Sequence, residues 1–236
     1  MKKSTSLLFL GSIMTLFSCS NTSESVSTET YPNVVATFAG KIDLNNLSNY
    51  ANQTKPAYIT KDNTADNPIT DKGATLGRVL FYDKNLSSNN TISCATCHIQ
   101  ANAFGDDTDA SDGVNGTTTR HAMRLINSRF SNERKFFWDE RATTLEVQTS
   151  EPIKNHIEMG FSGTSGDGSI TTLITKLQSI GYYKELFKYV YGSEEITENK
   201  LQLALAQFIR SIQSFDSKYD AGRSTVQNDN QAFPNF

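Results

Sequence analysis

The run Cys94-Ala95-Thr96-Cys97-His98 constrains this chain more than any other feature. Two thiols at this spacing can add to the two vinyl groups of one porphyrin, and the adjacent imidazole then stands over the metal. C-x-x-C-H is read as covalent attachment of one c-type haem for that reason, with His98 as an axial iron ligand. Two other uses of the motif compete. A redox dithiol is expected in a βαβ setting, which the sequence lacks. A four-ligand zinc site needs a second pair of Cys or His ligands, and the only other cysteine, Cys19, lies far upstream in a leader.

That leader begins with Lys2 and Lys3, followed by a short apolar run from Leu7 to Phe17. The run is too short to span a bilayer as a mature helix and stands where the core of an export signal stands. It ends in Leu16-Phe17-Ser18-Cys19, which resembles the lipobox of bacterial lipoproteins. The expectation is a signal over residues 1–18, lipid on Cys19 and a periplasmic, membrane-tethered protein; the competing reading is an ordinary signal peptide. Cys94 and Cys97 leave no pair for a structural disulfide. Nothing later in the chain is apolar for long enough to cross a membrane. With 22 basic and 25 acidic side chains the net charge is −3, which gives no reason to expect nucleic acid.

Residues 19–65 read as a Ser/Thr-rich flexible tether followed by an extended arm, and residues 66–236 as one haem domain. From Asp71, a plausible cap, Leu76, Val79 and Leu80 recur at helical spacing, and the helix should stop near Asp83. Ile99–Thr119 has loop composition, and a long loop inside a compact domain is usually functional. Ser169–Ile180 and Tyr183–Tyr191 read as short helices broken at Gly181. The clearest helix is Thr197–Phe215, where Leu201, Leu205, Phe208, Ile212 and Phe215 step by four, three, four and three. No strand-like alternation of any length is present. The fold class is all-α, a cytochrome c-like haem domain with long loops and an extended N-terminal arm.

The sixth iron position decides function, because a closed His or Met site transfers electrons and an open one admits peroxide. His121, His156, Met123 and Met159 are candidate ligands. The residues alone leave an electron carrier and an oxidoreductase level.

Further ordered segments carry a resemblance. They are Leu76-Gly77-Arg78-Val79-Leu80-Phe81-Tyr82-Asp83, Ile92 to His98, and Phe137-Trp138-Asp139-Glu140-Arg141-Ala142-Thr143-Thr144-Leu145-Glu146. Gln148, Pro152, Glu158-Met159 and the helix around Ala204 to Phe215 follow. From about Asp66 onward the chain resembles the bacterial di-haem cytochrome c peroxidases, a family that includes the methylamine-utilisation di-haem enzymes. The resemblance implies that this is the N-terminal, peroxidatic haem domain, with a distal side built by Gln148, Pro152 and Glu158. It implies Glu158 as the acid–base group, Gln148 as the group that orients peroxide, and Trp138 as an electron-transfer residue between two haems. The implied activity is reduction of hydrogen peroxide to water, with electrons from a cytochrome c, a cupredoxin or a quinol pool. The alternatives are a mono-haem electron carrier and a di-haem oxidase of an organic or protein substrate.

The departures matter as much. The family has a second C-x-x-C-H on a C-terminal domain, whereas this sequence has one and stops at Phe236. The expectation is a fragment of a longer protein, with a true mono-haem protein as the minority reading. His121 stands where the family has an asparagine ligand to calcium, and the remaining ligands would lie in the other domain. Calcium is therefore not carried over to this chain. Some members place a distal histidine in the loop after the haem motif, and Ile99–Arg120 holds none, which favours an open iron.

Overall fold

The computed structural model describes residues 30–132, 135–228 and 230–233. The leader, Cys19, the tether up to residue 29 and the last three residues lie outside them. Helix α1 (Pro32–Phe38) forms within the segment expected to be extended arm and loop. Pro32 is preset for a first turn. The Glu185 carboxylate accepts from the Asn33 and Val34 amides at 3.0 and 2.9 Å, satisfying donors that a helix start leaves open.

Helix α2 (Asp71–Tyr82) is capped by Thr70, whose hydroxyl accepts from the Gly73 amide. Asp71, expected as the cap, is instead the first helical residue, and its carboxylate accepts from the Tyr50 and Ala51 amides. The helix ends at Asp83 as expected, where a carboxylate oxygen accepts from the hydroxyls of Tyr182 and Tyr183. A four-residue turn, α3 (Cys94–Cys97), follows. The long loop after it holds a small hairpin, β1 (Asp112–Gly113) and β2 (Gly116–Thr117), antiparallel with Asp112 opposite Thr117. Then come α4 (Leu145–Ser150), α5 (Ile170–Gln178), α6 (Gly181–Tyr191), α7 (Glu198–Ser211) and α8 (Lys218–Arg223). The break before α6 falls at Ser179–Ile180, and Gly181 opens the helix rather than breaking it.

The core is built on α7 packed against α2, with α4 and α6 alongside. Leu76, Leu80 and Phe81 of α2 and Ala204, Leu205 and Phe208 of α7 are buried between them. Gly77 permits the close crossing: a Cβ there would overlap the Ala204 carbonyl. The architecture is mainly α-helical, the hairpin being the only sheet among the described residues. None of the described helices is long and apolar enough to cross a membrane.

Candidate functional site

The single turn α3 starts at Ser93, which forms a reciprocal capping box with Thr96. Residues three apart on a helical turn share a face, so Cys94 and Cys97 are neighbours there, and His98 follows as the C-cap. The loop after His98 folds back at once. Ile99 accepts from the Phe104 amide and donates to Gly105, and Ala103 and Phe104 both take left-handed backbone (φ 58° and 57°). That unusual pair aims the Phe104 carbonyl at His98, whose Nδ1 hydrogen bonds to it at 2.9 Å. With Nδ1 so engaged, Nε2 is the nitrogen for a metal, the arrangement metal-bound imidazoles usually show. Burial pushes the His98 imidazole below its ordinary pKa, against the carbonyls of Phe104 and Met123, which favours the neutral form that a metal ligand needs.

Burial also pushes the Cys94 thiol up to about 12 and raises Cys97. A reactive dithiol needs the opposite shift. This microenvironment suits thiols committed to a covalent link better than redox exchange.

Cys94, Cys97 and His98 line a cavity of about 780 Å³, within the size range of cofactor sites. Gln148, Pro152 and Glu158 line the same cavity, as do Trp138, His121, Met123 and Met159. Phe81, Ile92 and Leu125 with Leu205 and Ile209 of α7 supply apolar wall. A large, mostly apolar space meeting two thiols and one imidazole fits a covalently held haem.

Gln148 is carried by α4, which starts at Thr144, whose hydroxyl accepts from the Val147 amide. Its neighbour Glu146 pairs with Arg210 of α7 through both terminal guanidinium nitrogens and accepts from Asn67. Pro152 and Glu158 lie beyond α4 on irregular backbone. Asn155, a cavity residue that sequence reasoning missed, makes an Asx-type turn there: its side-chain oxygen accepts from the Ile157 and Glu158 amides at 2.9 and 3.1 Å. Asn followed by a loop was the available signal. The hairpin was missed as well, although Asn115-Gly116 is a common hairpin dipeptide. His156 is placed elsewhere: it is not among the cavity-lining residues, and its Nδ1 meets the Asp167 carboxylate at 2.9 Å.

Burial raises the Glu158 carboxyl above the usual glutamate range, and the Arg141 charge only partly opposes it. At the cavity mouth Asp139 bridges Arg120 and Arg141, each at 2.8 Å, and those two guanidinium groups hold its pKa down at about 2. The Arg141 guanidinium lies 3.5 Å over the Phe137 ring. Trp138 is 61% exposed, and its indole N–H donates to the His121 carbonyl at 3.1 Å. His121 turns its Nδ1 to the Thr108 carbonyl at 2.8 Å.

Residues 71–228 match the di-haem cytochrome c peroxidase family. The chain belongs to that family. It is 34% identical over 155 residues to the methylamine utilization protein MauG of Methylophilus methylotrophus, covering 65% of this chain and 44% of that protein. It is 36% identical over 155 residues to cytochrome c peroxidase Ccp of Escherichia coli (strain K12), covering 65% of this chain and 31% of that one. A solved MauG-like protein associated with microbial copper homeostasis aligns with TM-score 0.64 at 32% identity, over 76% of this chain and 52% of its own. The chain thus spans about half or less of the length of these relatives. Di-haem peroxidases depend on haem c, and the stretch matched to the family contains Cys94, Cys97, His98, Gln148, Pro152 and Glu158.

Proposed function

We propose that residues 66–236 are the peroxidatic half of a di-haem peroxidase that reduces hydrogen peroxide to water with electrons from a small redox protein or quinol pool. The supporting observation is that Gln148, Pro152 and Glu158, far from the haem motif in sequence, line the one cavity that Cys94, Cys97 and His98 also line. Cys94 and Cys97 would hold one haem c as thioethers, and His98 would be its axial ligand. When bound, the haem would supply redox iron chemistry for the two-electron reduction of peroxide, with His98 as the residue holding the iron.

The chain's own residues handle the protons. Reduction of one peroxide consumes two electrons and two protons and yields two waters. A proton must be taken from one peroxide oxygen, and a proton must be delivered to the other, which departs as water. One carboxylate within hydrogen-bond reach can do both, and Glu158 is the carboxylate of the distal set. Its raised pKa brings it nearer the operating pH, where acid–base exchange is most efficient. Gln148 can hold peroxide by hydrogen bonds without competing for the proton, and Pro152 keeps that face apolar. Before this domain acts, the chain would be exported and anchored by lipid on Cys19.

A second reading is an electron-carrying cytochrome. It draws on Met123, Met159 and His121, which line the same cavity, and a fully low-spin ferric spectrum would establish it. Similarity to MauG keeps oxidation of an organic or protein substrate as the alternative use of the same site.

The test is stopped-flow mixing of the haem-loaded ferric chain with peroxide. Glu158→Gln should slow the reaction by roughly a hundredfold or more, with haem attachment and spin state retained. In the native chain the rate should fall as pH drops through the Glu158 pKa, at higher pH than an ordinary glutamate would give, and this dependence should vanish in Glu158→Gln. His156→Ala should be nearly silent, since His156 faces Asp167. A fast Glu158→Gln beside a dead His156→Ala would assign the proton shuttle to His156 and refute the reading.

A further inference from the structure

Glu158 sits on backbone that no helix or sheet ladder supports. Its amide edge is held from within, by Asn155. Its carbonyl edge is held from outside, by the hairpin of the loop that leaves His98. The Val114 amide donates to the Glu158 carbonyl at 3.1 Å, and the Asn115 amide donates to the Ile157 carbonyl at 3.2 Å. The Asn115 side-chain amide donates to the His156 carbonyl at 2.9 Å. Three consecutive carbonyls are thus taken up by two hairpin residues. Gly113 lies directly against this edge, and a Cβ there would overlap the Ile157 carbonyl oxygen. Val114 in turn packs close to Gly160, so the hairpin meets the turn on both sides of Glu158.

We infer that the β1–β2 hairpin is a strap that sets the position of the Glu158 carboxylate, with Asn115 and Gly113 as positioning residues. This rests on the role of Glu158 proposed above. Side-chain placement on a turn follows the backbone carrying it, and a misplacement of an ångström in a catalytic group can cost about a hundredfold in rate. The base of the strap also reaches the haem motif: Ser111, paired with Thr118, hydrogen-bonds the Cys97 thiol, and the Asp112 charge acts on it. His98 is held separately, its Nδ1 bonded to the Phe104 carbonyl at the other end of the loop. The cycle in the Glu158→Gln background is therefore what separates an effect on Glu158 from one on the haem motif.

The experiment is a double-substitution cycle on the haem-loaded full chain. Gly113→Ala should slow the peroxide reaction by roughly a hundredfold, and Asn115→Ala, which removes one bond without a clash, by about tenfold. In a Glu158→Gln background both should change the rate by less than about twofold, because there is no longer a carboxylate to misplace. Equal factors in both backgrounds, with Glu158→Gln itself slow, would overturn the strap and leave Glu158 as the shuttle. A fast Glu158→Gln would remove the shuttle and the inference together. Hydrogen exchange supplies a readout independent of turnover: the Val114 and Asn115 amides should be protected in the native chain and exchange at least tenfold faster in Gly113→Ala. Unprotected exchange in the native chain would refute the strap whatever the kinetics.

Discussion

Replacing Arg210 by alanine should be among the most damaging substitutions away from the haem motif. Arg210 is 4% exposed on α7 and gives two guanidinium nitrogens to the Glu146 carboxylate and its Nε to Asn63 at 2.9 Å. Glu146 would keep Asn67 and a backbone hydrogen bond but no positive charge among those partners. Breaking a buried pair by removing one partner costs about 3–5 kcal/mol, since a charge is left uncompensated. At roughly 2–4 °C per kcal/mol for a domain of this size, the melting point should fall by about 10 °C. The sign with pH follows from Glu146. Burial raises its carboxyl, but the Arg210 and Asn67 hydrogen bonds and the Arg210 charge outweigh that and leave it below the ordinary value. The stabilisation from the pair is therefore present at neutral pH and is lost as pH falls through the depressed pKa. In Arg210→Ala burial dominates instead, the carboxyl rises, and acid relieves the cost by protonating it. Urea unfolding of the haem-loaded chains should show the gap between native and variant narrowing from pH 7 to pH ~4.5. The pair Glu146→Leu with Arg210→Met should recover most of the loss. A gap below about 1 kcal/mol at pH 7, the range of surface pairs, or a gap unchanged with pH would refute the argument.

Two further expectations concern the haem and its electrons. Denatured protein from a haem-maturing host should carry the mass of one haem, and Cys94→Ala with Cys97→Ala should carry none; a native chain without the added mass would end the covalent assignment. Trp138 lies exposed at the cavity mouth, so in a protein that also carries a second haem domain Trp138→Phe should slow electron delivery to this domain and leave peroxide binding nearly intact. Loss of peroxide binding with the fold unchanged would show that Trp138 serves the pocket instead.

What could be read from sequence was what local spacing encodes. The stripe Leu201, Leu205, Phe208 and Ile212 is buried as its stepping required, and Thr197 starts that helix with its hydroxyl on the Lys200 amide. Its end was misjudged. The apolar stepping runs on to Phe215, but the helix stops at Ser211, because Ile212 turns its carbonyl to the Asn127 amide and Phe215 stacks on Phe130. Periodicity cannot distinguish a further helical turn from a strand of loop that packs the same residues. Helix α1 was missed for the converse reason: its support comes from Glu185, 152 residues away from Asn33, and no local pattern records that. Within the site, Cys94, Cys97 and His98 are adjacent in sequence and could be read directly. Gln148, Pro152 and Glu158 came only from family likeness, since their convergence depends on α4, the Asn155 turn and the hairpin together.

This division of the site has a physical consequence. The wall from α7, Leu205 and Ile209, is apolar and belongs to the core. Leu205 packs in register with a helix pair brought close by Gly77, so changing it mainly alters stability. The residues proposed to hold iron and to move protons stand on segments held by a few hydrogen bonds: Phe104 for His98, Asn155 and the hairpin for Glu158. Each such bond contributes about 0.5–1.5 kcal/mol net, small beside the core, so its loss leaves the fold standing. Geometry at the reacting atoms responds much more steeply than stability does. The loops can therefore be retuned by substitution with little cost to folding, whereas α2 and α7 cannot. Relatives with different oxidative tasks would be expected to differ most between His98 and Arg124 and between Pro152 and Gly160, and least along the crossing of α2 with α7. Glu146 and Arg210 stand at the join of the two regimes, because the pair anchors the helix carrying Gln148 to the core helix itself. Substitution there should disturb stability and peroxide chemistry together, which separates it from every other position discussed.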